Sequence, residues 1–156
     1  RNTQYMDGVP TITQCTIPMG NTFRYRFFAD NPGTHYWHSH TGLQRGDGIF
    51  GALIVRTPRG LDDHADLYDE DLADHVIVLN DWSQDAASSI FVSHHHGSGD
   101  NKPQGLLVNG KGWRLNKWET YTETPLAEFS VERGKRYRFR IISNGFLNCP
   151  LEFSID

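Results

Sequence analysis

Two histidines stand one residue apart in the stretch "GTHYWHSHTGLQRGDGIFG", residues 33–51. In an extended strand, residues i and i+2 point to the same face, roughly 6.6 Å apart along the chain. His38 and His40 would therefore project together with Tyr36 beside them, while His35, Trp37 and Ser39 face the other way. That spacing lets two imidazoles reach two neighbouring metal ions or converge on one. Imidazole suits copper, zinc, iron and nickel. Two histidines do not complete a site, because transition metals take three or four protein ligands. The triplet His94, His95 and His96 is a candidate to complete it. The triplet lies in "SHHHGSGDNKP", which reads as a Gly-rich polar loop at the surface or near a substrate.

Positioning such side chains calls for strands. "NTFRYRFFA" (21–29), "FGALIVR" (50–56), "HVIVLNDW" (75–82), "GLLVNG" (105–110) and "EFSVERGKRYRFRII" (128–142) are rich in β-branched and aromatic residues. Gly, Pro and Asn punctuate them, and no segment has a long helical period. Many short strands with turn signals predict an all-β sandwich or barrel. Setting Gly20 against Gly134 aligns "GNTFRYRF" with "GKRYRFRI", so two similar halves are expected, with imidazoles added to only one.

Residues 59–74, "RGLDDHADLYDEDLAD", carry seven acidic residues between Asp62 and Asp74. They read as a solvated linker or a short exposed helix, with metal binding by the acids and His64 as the alternative. The expected organisation is residues 1–58, a linker over 59–74, and a second unit over 75–156.

The 156 residues suit an ordinary domain in size, and 37% hydrophobic residues allow a packed core. The net charge of −4 with scattered Lys and Arg leaves no electrostatic footprint for nucleic acid. No run approaches the roughly 20 apolar residues of a membrane span. Cys15 and Cys149 form no CxxC zinc pattern; each reads as a buried thiol, half of a disulfide or half of a bridge to residues elsewhere. The start at Arg1 and the stop within "LEFSID" read as those of a piece of a longer protein.

"GTHYWHSHTGLQRGDGIFGALIVR" resembles the second copper-ligand motif of multicopper oxidases, and is most similar to that of arthropod laccases. "YMDGVPTITQCTIPMG" resembles the segment preceding it, and "SHHHGSGDNKPQGLLVNGKG" and "RYRFRIISNGFLNCPLEFSID" resemble the following domain. The resemblance implies cupredoxin-like Greek-key β-sandwiches: the carboxyl part of a first domain and the amino part of a second. It implies an enzyme that oxidises diphenols or similar phenolic reductants one electron at a time and reduces O2 to water. The copper would comprise a type 1 ion and a trinuclear cluster of one type 2 and two type 3 ions. By its match His38 would bind one type 3 copper and His40 the other. Asp7, in "MDG", matches an acidic residue near the cluster, where a carboxylate can relay protons; otherwise Asp-Gly is a turn dipeptide. Trp37 is expected to pack behind the ligand strand.

The remaining histidine motifs and the type 1 site would lie outside these 156 residues, so the segment by itself is expected to be inactive. In fungal laccases a cysteine at the position of Gly46 bridges one at the position of Cys149, which Gly46 cannot do; Cys15 matches a cysteine whose partner is distant. Secretion follows from the resemblance. The competing readings are a ferroxidase-type relative and a non-catalytic copper-binding or adhesion module, the latter prompted by the Arg45–Gly46–Asp47 tripeptide.

Overall fold

The strand-forming runs on either side of the histidine pair close into a hairpin. A computed structural model describes residues 3–97, 103–114, 122, 124–147 and 150–155. In it β1 (Gly33–His38) pairs antiparallel with β2 (Phe50–Val55), in a register running from Gly33 opposite Val55 to His38 opposite Phe50. Ser39 N–H donates to the Ile49 carbonyl at 2.9 Å, which extends the pairing one step past His38. The intervening turn is held locally. The Ser39 hydroxyl donates to Gln44 Oε1 at 2.6 Å and accepts from the Thr41 N–H at 3.2 Å. Gly48, at φ +99°, supplies the left-handed step back into β2.

The second sheet has the order β4-β3-β5. Its centre, β3 (Val76–Trp82), pairs antiparallel with β4 (Gly105–Val108) and parallel with β5 (Arg140–Ser143). The strand is flanked on both edges, and one face of "VIVLNDW" carries Ile77 and Leu79 into the core, where they are buried with Ile142 and Ala87. β4 ends in Asn109–Gly110, both at positive φ, the signature of a tight two-residue hairpin turn. The Asn109 amide side chain then accepts from Val78 N–H at 2.7 Å and donates to the Val76 carbonyl at 3.0 Å, imitating a further rung beside β3. The two sheets meet where β1 approaches β5 and β2 approaches β3.

Three sequence expectations change. Residues 21–29 form no strand, and of 128–142 only the end belongs to β5. Among the described residues no neighbouring strand completes a ladder with residues 21–29, and Phe23, Tyr25, Phe27 and Phe28 stay substantially exposed. The likeness of the two runs survives in their turns, since Gly20 and Gly134 both take positive φ, +81° and +91°.

The histidine triplet does not sit in a loop. It ends α1 (Ala87–His96), whose last turn it forms. Cationic or polar imidazoles are well placed at a helix carboxyl end, where carbonyls lack partners. The ring of Phe91 packs on His95 one turn later, with centroids 4.2 Å apart.

The acidic segment is largely exposed, as expected, but it is not a regular helix. It runs through short 3-10 turns at Arg59–Leu61, Ala65–Leu67 and Ala73–His75 and is fastened to residues 135–140. Asp69 N–H and Arg138 N–H bond across it to the Arg136 and Glu70 carbonyls, at 2.8 and 2.9 Å. Side chains repeat the match. Asp62 accepts from Arg138 at 2.8 Å, Asp69 from Arg136 at 2.9 Å, and Glu70 from Lys135 at 3.2 Å. Innermost is Arg140, 4% exposed, whose Nε and Nη2 donate to the two Asp71 oxygens while Nη1 donates to Thr34 Oγ1 at 2.9 Å. One guanidinium thus ties the acidic segment, β5 and the edge of β1 together. Its planar fork matches a carboxylate, which a lysine could not do.

Candidate metal centre

The end of β1 places the imidazoles. Tyr36, His38 and His40 share a face, as the strand period requires. The Tyr36 and His38 rings stack with centroids 5.1 Å apart, and the His38 and His40 rings lie 5.7 Å apart, tilted by 32°. His38 is half-buried and His40 is exposed. His38 Nδ1 lies 2.9 Å from the Ser39 carbonyl. A carbonyl only accepts, so Nδ1 carries the proton and Nε2 keeps its lone pair. This is the arrangement by which a backbone carbonyl fixes the tautomer and aim of a metal-binding histidine.

Trp37 takes the opposite face but is not buried behind the strand. It is 52% exposed and lies over Gly51, its cross-strand partner. A Cβ at Gly51 would stand 2.6 Å from the indole nitrogen, so only glycine leaves room for the ring there. His35 faces away from the pair, with Nε2 2.9 Å from the Asn31 carbonyl.

Asp7 is not brought to the pair. It closes the turn after Gln4–Met6, its N–H donating to the Gln4 carbonyl at 3.1 Å, and its side chain is exposed. Among the described residues no hydrogen bond, ion pair or ring contact joins it to His38 or His40. His94–His96 sit on α1, where the ring of His95 meets Phe91 and His94. The acidic carboxylates that were an alternative metal site are held by arginine and lysine instead. Hydrogen bonds from Arg136 depress the Asp69 carboxyl to about 2, and those from Arg140 hold Asp71 below the usual carboxylate range.

A metal would find two nitrogen donors of the right kind at His38 and His40. Among the described residues no group of three His, Cys, Asp or Glu side chains gathers to complete a site. Two imidazoles by themselves do not complete a transition-metal site.

The turn after the pair carries features the sequence did not reveal. Arg45 Nε donates to Asn144 Oδ1 at 3.0 Å and Nη2 to the Gly145 carbonyl at 2.7 Å. Asp47 Oδ1 accepts from Ala87 N–H at 2.7 Å and so caps the first turn of α1 from outside. A Cβ at Gly46 would come within 2.7 Å of the Phe146 ring, so the aromatic ring fills the space where a cysteine side chain would start. Both charged ends of Arg45–Gly46–Asp47 are engaged within the molecule, which removes the basis for reading the tripeptide as an adhesion signal. Cys149 lies outside the described residues, and Cys15 is a free, exposed thiol.

Residues 1–60 and 73–156 each match the family described as multicopper oxidase. Among curated proteins the chain is 44% identical to Laccase-1 of Fomitopsis schrenkii, over all of this chain and 26% of that protein. It is 40% identical to Laccase-4 of Trametes villosa, over all of this chain and 28% of that protein. A solved structure of the L499M mutant of the laccase from B. aclada superposes with a TM-score of 0.73 at 34% identity, covering 90% of this chain and 25% of that one. The chain thus spans about a quarter of the length of these relatives. The two curated relatives are fungal, so the expected nearness to arthropod laccases finds no support in them. The likeness to the solved laccase and the predominance of strands make the fold all-β and cupredoxin-like. Over both of its matched stretches, the chain belongs to the multicopper oxidase family.

Proposed function

We propose that this chain contributes one wall of the copper centre of a laccase-type oxidase. The whole protein would oxidise diphenols or related phenolic reductants one electron at a time and reduce O2 to water. The observation that carries the reading is the His38 ring. Its Nδ1 proton is committed to the Ser39 carbonyl, its Nε2 lone pair is uncommitted, and His40 lies 5.7 Å away on the same face. In this reading each imidazole holds one copper of a type 3 pair. Copper bound there supplies one-electron transfer and a binding place for O2. The residues of this chain supply two nitrogen donors on one face, with the His38 tautomer set by the Ser39 carbonyl. Asp7 enters as a proton-relaying carboxylate through its match to the family segment, and its exposed carboxyl is free to exchange protons with solvent.

The division into residues 1–58, an acidic segment over 59–74 and a second unit over 75–156 belongs to the same reading. It draws support from the change of sheet on either side of the segment. An extracellular location follows the laccase reading; among the described residues no helix is long and apolar enough to cross a membrane.

The test is copper content and phenol-dependent O2 uptake of the full-length protein beside its His38→Ala and His40→Ala variants. The reading expects the wild type to bind copper and consume O2 with a phenol, and each variant to lose both. Full copper content in either variant would sink it.

A further inference from the structure

The turn that follows the histidine pair is tied to the second sheet at a point where it also touches the pair's own support. Arg45 is held at two atoms by Asn144 and Gly145. Asn144 is a firm anchor: it is 1% exposed, and its N–H donates to the Leu79 carbonyl at 2.7 Å, continuing the β5–β3 ladder. From this anchor the Arg45 guanidinium lies over the Tyr36 ring, 5.9 Å from its centroid. Tyr36 stacks on His38, and His38 neighbours His40. An unbroken series of contacts therefore runs from the central strand of the second sheet to the two imidazoles.

We propose that Arg45 is a positioning residue for the metal-binding pair, acting through the Tyr36 ring to fix the plane of His38. This rests on the reading of His38 and His40 as copper ligands. The Ser39 carbonyl sets which nitrogen of His38 carries the proton, but one hydrogen bond leaves the ring free to rock about it. The stacked Tyr36 ring restricts that rocking. A cation over the face of the tyrosine attracts its π-cloud and holds the ring in place. Because Arg45 is anchored across the boundary between the sheets, the aim of the ligands depends on how the second sheet is docked. Asp47 anchors the same turn to α1, and among the described residues no hydrogen bond or ion pair joins its side chain to Tyr36, His38 or His40. It thus separates the aiming of the ligands from the mere docking of the turn.

The experiment measures affinity for added copper ions, by competition with a chelator, in the full-length protein after metal removal. Arg45→Gln and Tyr36→Leu are each expected to weaken copper binding by about 10-fold or more, the scale on which groups behind metal ligands act. Tyr36→Phe, which keeps the ring, should bind copper as the wild type does. In the Tyr36→Leu background, Arg45→Gln should add nothing, since its effect passes through the ring. Asp47→Ala should lower the melting temperature and leave copper affinity unchanged. Wild-type affinity in Arg45→Gln would overturn the proposal. So would an additive double variant, or an Asp47→Ala loss equal to that of Arg45→Gln. His38→Ala is the reference: undiminished copper binding there would remove the ligand reading itself. Its loss of copper beside an unaffected Arg45→Gln would remove only the role of Arg45.

Discussion

His38 and His75 each give one ring nitrogen to a backbone carbonyl, yet they do different work. At His38 it is Nδ1, bonded to the adjacent Ser39 carbonyl, and the far nitrogen looks outward beside a second imidazole. At His75 it is Nε2, donating 2.9 Å to the carbonyl of Ser130, 55 residues on. The His75 ring is 1% exposed and wedged between Tyr137 and Phe139, with centroids 4.8 and 4.7 Å away, and its Nδ1 is buried with no hydrogen-bond partner. One imidazole presents a lone pair; the other fills a space and pins two segments together. Residue type alone does not distinguish a ligand from a packing histidine. The nitrogen left over, and what it faces, does.

The sharpest way to break this contrast is to remove each ring. His38→Ala in the full-length protein should cost at least about 100-fold in copper affinity, beyond the 10- to 100-fold typical of residues behind a ligand. Its fold stability should fall by only about 1 kcal/mol, the typical cost of a point substitution, since the ring is half-buried and stacks on Tyr36. His75→Ala should do the reverse, destabilising by about 3 kcal/mol through its cavity and the stranded Ser130 carbonyl, with copper content per folded molecule unchanged. Calorimetry and metal analysis on the two variants check both halves, and a copper loss in His75→Ala would dissolve the distinction.

Of the same order is Asp71→Asn, which leaves the buried Arg140 guanidinium without the carboxylate that holds two of its nitrogens. Removing one partner of a buried pair costs about 3–5 kcal/mol, read as a lower denaturation midpoint. A smaller effect concerns acid. Asp69, Asp71 and Asp62 all have depressed carboxyl pKa values, caused foremost by hydrogen bonds from Arg136, Arg140 and Tyr68 respectively. Depressed carboxylates stabilise fully above their unfolded value of 3.8, and that stability fades as pH falls towards about 2 for Asp69. Acid unfolding of Asp69→Asn should therefore be flatter between these limits than that of the wild type. Smallest is Lys135→Ala. Its pKa is raised chiefly by a hydrogen bond to Glu132 and then by Glu70, but the side chain is 40% exposed. Solvent screens exposed pairs, so the variant should unfold at the wild-type denaturant midpoint, and a clear shift of that midpoint would contradict this.

The hairpin that carries the pair was legible because a two-residue period leaves little freedom. β1 fixes that His38 and His40 share a face with Tyr36, and the β-branched run of "VIVLNDW" marks it as a strand. What failed did so for stated causes. Residues 21–29 have a strand's composition, but a strand exists only with a neighbour, and composition does not name one. The acidic segment is exposed as expected, but its pairing was not legible, because its partners Arg136, Arg138 and Arg140 lie some seventy residues away and charge matching at that distance leaves no local trace. The histidine triplet looked like a loop from its glycines, yet the Asp47 carboxylate capping Ala87 from another element favours a helix there. Arg45 was noticed only as part of a tripeptide. Its reach to Asn144 is a property of how the sheets dock.

The account stands or falls on where copper sits. Crystals of the copper-loaded full-length protein, with anomalous scattering at the copper edge, answer this directly. The account predicts copper bonded to Nε2 of His38, with Nδ1 still on the Ser39 carbonyl, and a second copper on a ring nitrogen of His40. Copper bound through Nδ1 of His38, or density at His94–His96 with the pair unliganded, would contradict it.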